Sequence, residues 1–62
     1  MNAEKRHNAI QRLLKQHTSL SVPDLQKQLG VSVATIRRDL IAMEKGGSIR
    51  RTQGGAGMRE RG

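Results

Sequence analysis

The stretch SVPDLQKQLGVSVATIRRDLIAMEK, residues 21–45, is punctuated by signals that start and stop helices. Ser21 can cap a helix through its hydroxyl, and Pro23 fits a first helical turn, where the backbone N–H groups have no partner within the helix. Gly30 can adopt the left-handed conformation that closes a helix, and Ser32 can cap the next one. Cap, helix, glycine turn, cap and helix form the organisation of a helix-turn-helix.

These signals predict two helices, over residues 22–29 and about 33–45, with Val31 filling the gap between them. In the second helix the apolar side chains Val33, Ile36, Leu40 and Met43 fall within one sector of ~80° and predict the buried face. Arg37 lies nearer the edge of that sector, with Thr35 to one side. The opposite face carries Ala34, Arg38, Ala42 and Lys45.

The flanking segments predict one more helix and a β-element. Residues 4–17 repeat apolar side chains at helical spacing, and Leu20 can add a short strand. Residues 48–53 alternate well enough for a strand, with Ile49 facing inward. The glycines of residues 54–57 predict a flexible turn, and residues 58–62 are too short and too charged for a good returning strand. The chain is therefore expected to end inside a hairpin or a linker.

Composition allows one small domain and excludes several functions. The 62 residues include no cysteine and no aromatic residue. Disulfides and cysteine-type zinc sites are excluded, and binding of single-stranded nucleic acid by base stacking is disfavoured. His7 and His17 lie on one predicted helix, ~15 Å apart along its axis, which is too far to share a metal. We expect no metal and no cofactor.

The chain carries a net charge of +7, with the positive excess at both ends. Such a field attracts a polyanion, although a merely solvated basic surface would have the same composition. A membrane partner is a third reading, but no apolar run approaches the ~20 residues that span a bilayer. The first twenty residues are polar and lack a secretory signal, so the expected compartment is the cytoplasm.

The helix over 33–45 is the candidate reading element. Small residues at its start, Ser32, Ala34 and Thr35, would let it enter a major groove ~12 Å wide and meet a phosphate. Arg38 projects farthest from the core and is predicted to contact guanine, and Arg37 to grip a phosphate. A second basic element, predicted to reach the backbone or the minor groove, comprises Arg50, Arg51, Thr52, Gln53, Gly54 and Gly55.

Other charged residues are assigned structural or generic roles. Asp39 is expected to pair with a basic side chain of another element, such as Arg6 or Arg12, and so to fix the orientation of its helix. Lys5, Arg6 and Lys15 are interpreted as a solvated helix face, with backbone contacts open to the first two. We find no arrangement of nucleophile, base and acid and no phosphate loop between strand and helix, so the sequence does not predict an enzyme.

The sequence resembles the N-terminal domain of the DeoR family of bacterial transcription regulators over about residues 3–57. The resemblance is carried by LGVSVATIRRDL at 29–40, by Met43, Glu44 and Gly47, and by IRRTQGGA at 49–56, and Arg6 and Ile10 also fit. Gln53 stands where a histidine is common in the family, and Met43 replaces a usual leucine.

The resemblance implies a mainly α winged helix-turn-helix of three helices and a short β-hairpin, with the domain over 1–57 and a linker or truncated wing strand over 58–62. It further implies binding to double-stranded operator DNA, usually as a repressor of a sugar-catabolism operon. A sugar-phosphate effector would act only through a C-terminal domain absent from this sequence, which would also make the full-length protein a homo-oligomer. Binding of structured RNA, or of an acidic protein partner, is the alternative.

Overall fold

Three helices and three short strands make up residues 2–58, the part of the chain that the structure, a computed structural model, describes. In chain order the elements are α1 (Ala3–His17), β1 (Ser19–Ser21), α2 (Val22–Leu29), α3 (Val33–Lys45), β2 (Ile49–Thr52) and β3 (Gly55–Met58). The strands form one antiparallel sheet in the order β1-β3-β2. The predicted class, mainly α with a winged helix-turn-helix, is confirmed.

The helix boundaries follow the local signals. The Ser21 hydroxyl accepts a hydrogen bond from the Asp24 N–H at 3.2 Å and caps α2. Gly30 ends α2 with a φ of +67°, and its N–H donates to the carbonyl of Gln26 at 2.8 Å. Val31 is half-buried against the core, as predicted for the gap between the two helices. The predicted spans of α2 and α3 agree with the structure.

The core is small and wholly aliphatic apart from one methionine. Each helix contributes to it, and the sheet adds one residue from β2 and one from β3. Because a domain of this size buries only ~60% of its unfolded surface, each of these side chains matters to stability. The buried set is Ile10, Leu14, Leu25, Ile36, Leu40, Met43, Ile49 and Ala56.

The glycine-rich segment after residue 53 differs from its prediction. The sequence predicts a flexible turn over residues 54–57, but Gly55–Met58 form β3, the central strand of the sheet, which returns along β2. Glycine is required here by close packing: a Cβ on Gly55 would overlap the carbonyl oxygen of Leu20 and lie 2.7 Å from Ser21 Cα. The chain therefore completes its hairpin within the described residues.

The short connection between α1 and α2 is occupied by strand β1. In this strand Leu20 lies opposite Ala56 of β3, which confirms the strand expected around Leu20. Met58, which pairs with Ile49, belongs to β3, so the returning strand begins earlier than the predicted tail at residues 58–62. The rest of that tail, residues 59–62, lies outside the described residues, and the predicted boundary after residue 57 stays a prediction.

Candidate nucleic-acid interface

The start of α3 is small, exposed and held by its own cap. The Ser32 hydroxyl accepts a hydrogen bond from the Thr35 N–H at 3.2 Å and lies 3.0 Å from the Thr35 hydroxyl. Ser32 and Ala34 are exposed, and Thr35 is half-buried. The remaining free N–H groups of the first turn give this helix end a positive partial charge. A backbone phosphate can approach it without meeting a bulky side chain.

Two arginines follow one turn later, and both are exposed. Arg38 lies on the face opposite the buried residues Ile36 and Leu40, so its guanidinium extends away from the protein. Arg37 lies on the flank of α3 that faces the β2-β3 hairpin and lines the groove between them. The structure therefore separates the two arginines into a central position and a lateral one, as the helical wheel indicated.

Ile41, on the same face of α3, is a candidate contact residue that was not predicted from the sequence. It is four residues beyond Arg37 and three beyond Arg38, so it lies on the same exposed face one turn further along α3. Its side chain is 42% exposed, and among the described residues it is the large hydrophobic side chain that stays exposed. The helical wheel contained this information, because Ile41 falls outside the apolar sector that defined the buried face.

The inner side of α3 is fixed by a buried carboxylate. Asp39 accepts two hydrogen bonds from the Arg6 guanidinium of α1, from Nε to Oδ2 at 2.6 Å and from Nη2 to Oδ1 at 3.0 Å. The Asp39 side chain is only 4% exposed and that of Arg6 17%. The prediction that Asp39 pairs with Arg6 or Arg12 is confirmed for Arg6, whereas the interpretation of Arg6 as a solvated residue is wrong.

His7 joins the same carboxylate and was not predicted to do so. Its Nε2 lies 3.1 Å from Asp39 Oδ1, and because an ionised carboxylate can only accept, Nε2 carries the hydrogen. The hydrogen bonds from Arg6 hold the pKa of Asp39 below its usual range, against the opposing effect of burial, and His7 adds to the lowering. The same pairing raises the pKa of Arg6. Two residues of α1 therefore fix the rotation of α3 about its axis.

The β2-β3 hairpin is the wing, and its tip is anchored. Gln53 and Gly54 form the two-residue turn, with Gly54 at a φ of +80°. The Gly54 carbonyl accepts a hydrogen bond from the Val22 N–H at 2.8 Å, which ties the tip to the start of α2. The prediction of a flexible loop is therefore wrong, because this bond and the pairing of Gly55 with Ser21 hold the wing against the body of the domain.

The basic side chains of the wing point in two directions. Ile49 is buried, so strand alternation directs Arg50 to the opposite face and brings Arg51 back towards α3. Arg51 Nε lies 3.2 Å from Glu44 Oε1, and both side chains are nearly half exposed. Exposed pairs of this kind contribute at most ~1 kcal/mol, so Arg51 can exchange Glu44 for another anion at little cost. Arg50, Thr52, Gln53 and Gly54 are exposed, and Gly55 is buried.

An open groove of about 780 Å³ runs between α3, the start of α2 and the wing. Its floor is apolar, formed by Val22, Val33 and Leu40, and cationic side chains stand at its edges, Arg37 from α3 and Arg51 from the wing. A strand of linked phosphates matches this arrangement, because arginine can give paired hydrogen bonds to phosphate oxygens. Of the predicted wing residues, Thr52, Gly54 and Gly55 also line the groove.

Residues 2–58 contain no candidate metal cluster and no candidate membrane-spanning helix. No group of three or more histidine, cysteine, aspartate or glutamate side chains in this part of the chain could hold a metal ion. No helix among these residues is both long enough and apolar enough to cross a membrane.

The tight turn between α2 and α3, the exposed basic face of α3 and the adjoining hairpin define a winged helix-turn-helix. The sequence profile of the DeoR-like helix-turn-helix domain matches residues 6–61. The chain belongs to this family and is a DNA-binding domain of the kind found in transcription regulators.

Relatives among characterised proteins are similar over most of this chain. The regulator GolR of Listeria innocua is 46% identical over 52 residues, 84% of this chain and 20% of GolR. A putative aga operon transcriptional repressor of Escherichia coli O157:H7 is 48% identical over 54 residues, 87% of this chain and 20% of the relative. The L-fucose operon activator of Escherichia coli K12 is 49% identical over 51 residues, 82% and 21% of the respective chains.

The chain spans about a fifth of the length of these relatives. No solved structure shows a significant match to it.

Proposed function

We propose that this domain reads a specific sequence of duplex DNA by placing α3 in the major groove and the wing against the adjacent backbone or minor groove. The observation that carries the proposal is the exposed face of α3, on which Arg38 projects opposite the core beside an anchored basic hairpin. A helix fits the major groove of B-DNA, where each base pair shows a distinct pattern of donors and acceptors.

The residues of α3 take different roles in this arrangement. Arg38 gives a bidentate contact to the O6 and N7 of a guanine. Arg37, on the flank towards the wing, grips a phosphate. Ser32, Ala34 and Thr35 keep the leading end narrow and bring its free N–H groups to a second phosphate. The Arg6–Asp39 pair touches no DNA but fixes the direction in which Arg38 projects.

The wing supplies the sequence-independent part of the affinity. Arg51 exchanges Glu44 for a phosphate of the DNA strand that lies between α3 and the wing. The other exposed wing residues contact the DNA backbone or the minor groove: Arg50, Thr52, Gln53 and Gly54. The sequence predicts Gly55 as a contact residue, but its burial between strands gives it a structural role: it allows β3 to approach β1.

Replacement of Arg38 tests the reading role. Arg38→Ala shortens an exposed side chain of α3, so the fold should persist while affinity for the cognate duplex falls by ~1–3 kcal/mol. The loss should be much smaller on a scrambled duplex. Anisotropy titrations with the DNA upstream of the chain's own gene would measure both, and equal losses on the two duplexes would make Arg38 a phosphate contact.

A second measurement tests the docking as a whole. Amide shifts of the domain titrated with the same DNA should cluster at residues 32–38 and 50–56. Shifts confined to α1 would refute the proposed orientation.

The regulator to which the domain belongs is proposed from its relatives, one named a repressor and one an activator. We propose a cytoplasmic, non-enzymatic regulator, most simply a repressor of a sugar-catabolism operon. A C-terminal domain outside this sequence would sense a sugar phosphate and form a homo-oligomer. One isolated domain should bind operator DNA weakly, because linked copies gain affinity through their high effective concentration.

Structured RNA and an acidic protein are the competing partners. The deep, narrow major groove of A-form RNA would exclude α3, so RNA binding would have to use the wing and helix ends. Competition between duplex DNA and an RNA hairpin separates these functions. A protein partner would instead give binding that added DNA does not displace.

A further inference from the structure

Ile41 stands among cations on the exposed face of α3. It lies one helical turn beyond Arg37 and Arg38 and one turn before Lys45, all of which are exposed. Single apolar residues are common on protein surfaces, so exposure alone would carry no meaning. Ile41 is significant because of its position: the positive charges around it attract a polyanion to the same face of α3.

The neighbouring residues allow the helix to lie deep in a groove at this point. Ala34 and Ala42 are exposed on the same side of α3 and have only a methyl group each. The long side chains of Arg37 and Lys45 can fold aside to reach phosphates, whereas the short branched side chain of Ile41 stays close to the helix axis. Ile41 can therefore touch another group only where the backbone of α3 approaches it closely.

The major groove contains one apolar group that fits this position. The C5-methyl of thymine projects into the groove and is recognised in proteins by apolar contact. We propose that Ile41 contacts the methyl group of a thymine, on the order of one to two base pairs from the pair that Arg38 reads. The inference rests on the proposed placement of α3 in the major groove and adds to it a residue that determines specificity.

Replacing thymine by deoxyuridine tests this contact, because only the methyl group is removed. The probe is a duplex selected by the wild-type chain from a random pool, with each thymine replaced in turn. At one thymine the wild type should lose affinity about three- to fivefold, the effect of exposing one methyl-sized apolar group. Ile41→Ala should bind the selected duplex about three- to tenfold more weakly and show no further loss at that thymine.

Two variants complete the comparison. Ile41→Val keeps a branched side chain and should retain part of the response to deoxyuridine. Gln16→Ala, on the exposed end of α1, should retain all of it. The alanine variants should remain folded, since both positions are exposed and alanine favours helix. Circular dichroism would verify this.

The outcomes separate this inference from the proposed function. If the wild type selects a sequence but Ile41→Ala keeps the full thymine response, or loses affinity equally for all DNA, the contact with thymine is wrong. If Ile41→Ala instead changes only self-association in sedimentation, Ile41 is a contact between copies and the inference is overturned. If the wild type selects no sequence, the proposed function fails and this inference fails with it.

Discussion

Asp39 shows how one residue connects the core of the domain to its binding face. It follows Arg38 directly in α3, yet it is buried while Arg38 is exposed. The 100° turn between successive helical residues produces this opposition. Because Arg6 holds Asp39 at two points, α3 cannot rotate without breaking both hydrogen bonds. The ion pair thus sets the direction of Arg38, the side chain that is proposed to read the DNA.

The lowered pKa of Asp39 predicts how stability depends on acid. A carboxylate whose pKa is lower in the folded state stabilises the fold above its unfolded value of about 3.9, and this contribution is lost as pH falls through the folded value. Asp39→Asn should therefore lower the free energy of unfolding at pH 7. It should also show a smaller loss of stability than the wild type below about pH 4. Urea unfolding at several pH values measures both effects.

Arg6→Gln and the double variant serve as the controls for that prediction. The two single losses at neutral pH should not add in the double variant, because both remove the same interaction. An acid dependence that Asp39→Asn leaves unchanged would mean that another carboxylate controls it.

At the scale of the elements, the sequence predicted the helices because their boundaries depend on nearby residues. Ser21, Gly30 and Ser32 each act within four positions of themselves, so the spans of α2 and α3 could be inferred locally. Strand β3 could not be inferred from nearby residues in this way. Its residues Gly55–Met58 have no alternating pattern, and as the central strand they pair both with β2 and with β1, which lies more than thirty residues earlier. The contact of His7 with Asp39 was not predicted for the same reason, because these residues are also far apart in the sequence.

The cap of α3 offers a test that separates folding from binding. Ser32→Ala removes the hydroxyl that accepts from the Thr35 N–H and should lower stability by ~0.5–2 kcal/mol. Ser32→Asp restores a capping acceptor, so thermal or urea unfolding should show stability close to that of the wild type. It nevertheless places a negative charge where a phosphate is proposed to bind.

DNA affinity should follow charge rather than stability in this series. Ser32→Asp should bind more weakly than Ser32→Ala although it is the more stable variant. If affinity instead rises with stability across the two variants, the start of α3 does not face a phosphate.

At the scale of the whole molecule, the net charge of +7 contributes to DNA binding through the few cations that contact phosphates. Each phosphate neutralised adds about 0.9 to the slope of log affinity against log salt. We propose that Arg51, which pairs with Glu44 in the free domain, makes one such contact in the groove between α3 and the wing. Arg51→Ala should therefore reduce the slope by about one, measured by anisotropy between 50 and 200 mM salt.

Lys15→Ala is the matched control, because it removes one exposed charge from α1 and leaves the groove intact. Its slope should stay near that of the wild type, and equal changes in the two variants would show that net charge, rather than a phosphate in the groove, governs the salt dependence.

Glu44→Gln releases Arg51 and removes a carboxylate that repels the same phosphate. It should raise affinity for cognate and scrambled duplexes alike, since a phosphate contact carries no sequence information. A gain confined to the cognate duplex would place Glu44 beside a base instead.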